Sequence, residues 1–87
     1  MKKTELLKMM FETKDDTEGL YCGFCVVIKN DDMEVPEYII STEKALAYKI
    51  VYYANAYNED LELLTNPKIK IINAYPIEKS YYFLFHE

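Results

Sequence analysis

Arginine and tryptophan are absent from this chain of 87 residues, histidine occurs once, and glycine occurs only twice. Each shortage excludes something. Nucleic-acid-binding faces rely on basic residues, with arginine for bidentate phosphate contacts. Here ten lysines are outnumbered by fifteen acids, giving a net charge of −5, so direct binding to nucleic acid is not expected. The lone imidazole, His86, is next to last, a poor place for a preorganised base. Gly19 and Gly23 are too few and too scattered for a phosphate-cradling loop or a nucleophile elbow. No apolar run approaches the roughly 20 residues of a membrane span. The opening stretch MKKTELLKMMFETK is broken by Glu5, Lys8 and Glu12, unlike a signal peptide. These absences lead us to expect a non-enzymatic, cytoplasmic protein without cofactors.

Hydrophobic residues, at 51%, suffice for one core, and a chain this short rarely builds two. Residues 1–87 are therefore read as one domain. Leu6, Leu7, Met10 and Phe11 recur at helical spacing and predict a helix over 3–13. Residues 20–29 read as a strand with Leu20, Cys22, Phe24, Val26 and Ile28 on one face. Tyr21, Gly23, Cys25, Val27 and Lys29 fall on the other. Asn30-Asp31-Asp32 signals a turn into a return strand over 33–40, and Pro36 places that strand at an edge or a bulge.

Ser41 reads as the N-cap of a second helix reaching about Tyr57, with Leu46, Ile50, Tyr53 and Tyr57 as its buried stripe. Asn58-Glu59-Asp60 predicts a short further turn of helix through Leu64. Residues 68–75 alternate as a strand, Pro76 to Lys79 read as a turn, and 80–86 as a last strand. The order α-β-β-α-β-β predicts an α+β fold, an antiparallel sheet with helices mainly on one face.

The stretch Cys22-Gly23-Phe24-Cys25 has the spacing of redox and zinc motifs. Reactive pairs of this kind sit at a helix N-terminus, where the thiolate is stabilised. Here Val26-Val27-Ile28 follows, which favours a strand. Three positions apart in a regular strand, the two side chains point to opposite faces. A structural zinc site needs four ligands, and the chain offers two cysteines and His86. The expected role of Cys22 is that of a small core hydrophobe. A thiol redox or zinc module using Cys22 and Cys25 stands as an alternative.

What the chain has in excess is tyrosine, nine residues. Tyr48 and Tyr52 lie on one flank of the second helix, outside the buried stripe. Tyrosine anchors many protein interfaces, although it also rims small cores with its hydroxyl in water. Acids cluster in two turns, Asp31-Asp32-Glu34 before this helix and Glu59-Asp60-Glu62 after it. Such runs are commonly solvated turns, and a modest negative charge also keeps a small domain soluble. Read as a site, the eight residues Asp31, Asp32, Glu34, Tyr48, Tyr52, Glu59, Asp60 and Glu62 form an aromatic patch with an acidic rim.

Glu37-Tyr38-Ile39-Ile40-Ser41, leading into a helix from Thr42 after the hairpin turn Lys29-Asn30-Asp31-Asp32, resembles the small acidic phage-encoded anti-CRISPR proteins that inhibit Cas9. The resemblance covers about residues 24–58. It implies an inhibitor, in the host-cell cytoplasm, whose acids occupy a basic DNA-binding cleft in the manner of a DNA mimic. Its partner would be a basic nucleic-acid-handling protein such as a Cas nuclease. The helix here is rich in tyrosine rather than acid, a departure from that pattern. A small accessory domain that self-associates is a further alternative, and the chain is expected to be a monomer or homodimer.

Overall fold

A computed structural model of the chain describes residues 1–80. Helix α1 spans Lys3–Lys14 and strand β1 spans Tyr21–Asn30. Strand β2 covers Met33–Ile40, helix α2 Glu43–Ala56, β3 Glu62–Leu63 and β4 Asn66–Glu78. The sheet is antiparallel, in the order β2-β1-β4-β3. This is the α+β fold and the α-β-β-α-β-β order the sequence predicts.

Both helices pack on the sheet face that carries Phe24, Val26, Ile39, Ile71 and Ala74. α1 contributes Leu6 and Met10 to this core, while Phe11, expected beside them, is exposed. α2 contributes Leu46, Ile50, Tyr53 and, at its C-cap, Tyr57, the stripe its spacing predicts. Gly23 lets β1 and β2 approach closely, because a β-carbon there would lie 2.9 Å from the Ile39 carbonyl oxygen. The β1–β2 turn is Asp31-Asp32, with Asp31 in the left-handed region at φ 54°, as two-residue hairpin loops require.

Several expectations are corrected. The α2 cap is Thr42 rather than Ser41: its Oγ1 accepts the Ala45 amide at 3.2 Å. Ser41 is still tied to the strand ladder, donating its amide to Cys22 O at 3.2 Å and its hydroxyl to Tyr21 O at 2.9 Å. The helical turn expected over 58–64 is instead a tight loop leading into β3. Asn58 Oδ1 accepts the amides of Asp60 and Glu62 at 3.0 and 2.9 Å, drawing them out of helical bonding.

Where a turn is expected at Pro76–Lys79, β4 runs on through Glu78. Pro76 pairs with Phe24 of β1, and β3 is too short to reach it from the other side. No ladder donor is needed there, so proline fits. The strand expected over 80–86 falls, Ser80 apart, outside the described residues, as do Tyr81, Tyr82 and His86.

Of the two cysteines, Cys25 keeps its expected face and Cys22 leaves its expected place in the core. Cys25, not Cys22, is fully buried, on the sheet face away from the helices and between Tyr38 and Tyr75 of the neighbouring strands. Cys22 sits at an irregularity in the β1–β4 register and is half-buried, its Sγ 3.9 Å from Glu78 O. The break in register removes it from the alternation that put it in the core.

Candidate interaction surface

The eight sequence-predicted site residues divide by position along the sheet. Asp31 and Asp32 form the exposed hairpin tip, and Glu34 follows on β2. Glu34 pairs with Lys29, Lys29 with Lys70, and Lys70 with Glu62. The acidic turns, distant in sequence, thus meet at one end of the sheet. Glu34 and Glu62 bracket two lysines across three interstrand spacings, about 14 Å.

The second turn is largely compensated. Lys2 bonds to Asp60, and that hydrogen bond, followed by its charge, holds the Asp60 carboxyl below the usual range. Lys3 lies 3.7 Å from Glu59. Glu62 Oε1 accepts the Asn58 side-chain amide at 3.1 Å. Within the two turns, Asp31, Asp32, Glu34 and Glu62 make no ion pair with a lysine among the described residues, whereas Glu59 and Asp60 do.

Tyr48 and Tyr52 are not at that end. α2 begins where β2 ends and runs back towards β3, where Tyr57 bridges to Leu63. Tyr48, in the second turn of the helix, is 71% exposed and shares a groove with the edge of β2 at Tyr38 and Ile40, whose side chains project from the sheet face away from the helices. Those two residues, 69% and 66% exposed, are the part of the surface that sequence reasoning missed. The available signal was parity: in EVPEYII, Tyr38 and Ile40 alternate with the core residue Ile39 and share their parity with the edge marker Pro36.

A half-buried polar cluster connects strand and helix. The Tyr53 hydroxyl donates to Glu37, and Lys49 Nζ reaches the same carboxylate at 3.2 Å. Lys49 also stands 5.3 Å from the centre of the Tyr52 ring, at cation–π distance. Tyr52, Tyr53 and Tyr57 meet edge to face, with centroids 5.5 to 6.4 Å apart. Burial, then the bond to Glu37, raises Tyr53 well above the ordinary phenol range. Burial, with Tyr52 and Glu37 nearby, pushes Tyr57 up to about 12. These hydroxyls are neutral at physiological pH, and the cluster fixes α2 on β2.

Comparison with family models, curated proteins and solved structures finds no match to this chain. Among the described residues, no group of three or more ligand-type side chains is arranged to hold a metal ion. Cys22 and Cys25 are free thiols. No helix among these residues is long and apolar enough to cross a membrane.

Proposed function

We propose that the chain is a non-enzymatic binding protein of the inhibitor type the resemblance implies. It docks on a basic nucleic-acid-handling protein, such as a Cas nuclease, through the β2 side of the molecule. The observation that carries this reading is the composition of that side. Asp31, Asp32 and Glu34 stand at one end of β2, and exposed Tyr38, Ile40 and Tyr48 stand at the other. Acids of this kind speed encounter with a basic cleft, and aromatic anchors slow departure. The second acidic turn plays a smaller part, because lysines already neutralise it.

The test is association kinetics against guide-loaded Cas9 and a panel of other basic nucleic-acid-binding proteins, at low and moderate salt. The double variant Asp31→Lys, Asp32→Lys is expected to slow association about tenfold at low salt and less at higher salt. Tyr48→Ala is expected to speed dissociation and leave association nearly unchanged. Tyr52→Ala should do so more weakly, since Tyr52 is engaged with Lys49. Absence of binding across the panel, or association indifferent to both salt and charge reversal, would overturn the reading.

A further inference from the structure

We propose that the C-terminal half of the β2 edge accepts an extended segment of a partner protein as a fifth strand. The segment lies in the groove between β2 and α2, with one of its acidic residues facing Lys44. This inference rests on the binding-protein reading above, but it uses the opposite end of β2 from the acidic tip.

The hydrogen-bond parity of β2 follows from one contact. The Ser41 amide donates to Cys22 O, so Ser41 and Cys22 form a bonded position of the antiparallel ladder. In such a ladder, bonded and non-bonded pairs alternate. Ile39, Glu37, Val35 and Met33 therefore turn their amides towards β1. Ile40, Tyr38, Pro36 and Glu34 turn theirs outward. Among the described residues β2 is the end strand of the sheet, and the Tyr38 and Ile40 amides have no partner there. Pro36, next in line, has no donor. The edge is thus open over Tyr38 to Ile40 and closed beyond, which protects the rest of the strand from indiscriminate pairing.

Beside this opening lies a groove walled by α2. Tyr38, Ile39 and Ile40 border it along the strand edge, and Ala45 and Tyr48 form its helix side; paired with Cys25 and Gly23, Tyr38 and Ile40 turn their side chains to the sheet face away from α2. A strand flanked by a helix is the arrangement in which extended peptides add to sheets. Main-chain bonds then supply affinity, and alternate side chains enter pockets. Ala45 and Tyr48 call for apolar side chains at every second position of the guest, those that face α2.

Charge specifies the rest. Lys44 and Lys49 are the cations lining the groove. Lys49 is held by Glu37, whereas Lys44 makes no ion pair among the described residues and is exposed. A carboxylate on the guest answers Lys44. A second copy of this chain is a poorer occupant, because each copy carries a net charge of −5 and edge-to-edge pairing would bring two such molecules together.

The probe is a phage-displayed library of random nine-residue peptides panned on the full chain, followed by synthesis of the enriched peptides. Enrichment of sequences with alternating apolar residues and an Asp or Glu is expected. On binding, the Tyr38 and Ile40 amides should gain protection from hydrogen exchange. Ile40→Pro removes an outward donor without touching the β1 ladder and should weaken binding about tenfold. Lys44→Glu should weaken acidic peptides by a similar factor. Asp31→Lys with Asp32→Lys should leave peptide affinity unchanged, so that this inference and the docking reading fail separately. Should Ile40→Pro not fold, amide protection in the unmodified chain still decides. The proposal is overturned by no enrichment, by peptides that bind without protecting the two amides, or by a dimer that protects them without peptide.

Discussion

Asn58 Oδ1 accepts two backbone amides while its own amide group reaches Glu62. These bonds hold Leu61 at φ 63°, in the left-handed region, with its side chain fully buried. Such a conformation is costly for a bulky residue, so it persists only while its surroundings enforce it. Asn58→Ala is expected to lower stability by about 1–3 kcal/mol, read from urea unfolding, without changing the helices in circular dichroism. The tyrosines give a pH dependence with a definite sign. In the unfolded chain both Tyr53 and Tyr57 ionise near pH 10, and in the folded chain both are raised, Tyr57 to about 12. The folded state holds these protons more tightly, so stability is full below pH 10. It declines as pH rises from about 10 towards 12. Tyrosinate absorbance and circular dichroism recorded together should show ionisation of these two groups coinciding with unfolding. Ionisation near pH 10 in a chain that stays folded would contradict their burial.

At the scale of the element, β2 shows how one proline shapes an edge. Pro36 stands opposite Val27, at a position whose amide faces away from β1, so proline removes no ladder bond. Replacing it by a β-branched residue restores an outward donor between Glu34 and Tyr38 and lengthens the open edge. Pro36→Thr is therefore expected to keep the fold and to increase self-association, measured by light scattering against concentration. An unchanged scattering profile would mean that the edge is protected by something other than Pro36. β4 uses the same device at Pro76, where only β1 is alongside.

Across the whole molecule, the N-terminus of α1 is fastened to the C-terminus of α2 by Lys3. Its ammonium donates to the carbonyl oxygens of Ala54 and Tyr57, both at 3.0 Å, satisfying acceptors that the end of a helix leaves open. The positive charge also complements the negative end of the helix dipole. Lys2, one residue earlier, bonds to the exposed Asp60. Lys3→Met is expected to cost about 1–3 kcal/mol, whereas Lys2→Met should be close to neutral, as exposed ion pairs are. Thermal unfolding of the two variants side by side checks the contrast. A similar loss in both would assign the effect to overall charge rather than to the Lys3 contacts.

Periodicity within single segments determined a great deal by itself. The buried stripe Leu46, Ile50, Tyr53 and Tyr57 and the β1–β2 hairpin follow from local spacing and turn chemistry, and Pro36 narrowed its strand to an edge or a bulge. They are properties of neighbours in sequence, where the periods of helix and strand are fixed by backbone geometry. Tertiary structure decided what depends on which strands meet. The half-burial of Cys22 accompanies a break in the β1–β4 register, and the burial of Cys25 depends on its place between β2 and β4. The continuation of β4 through Pro76 depended on how short β3 is. The gathering of Glu34 and Glu62 at one sheet end, the neutralisation of Glu59 and Asp60 by Lys3 and Lys2, and the groove between Ile40 and Tyr48 all join residues far apart in the chain. Pairing across the sheet is selected by the packing of a shared core, and local sequence carries no record of its partner.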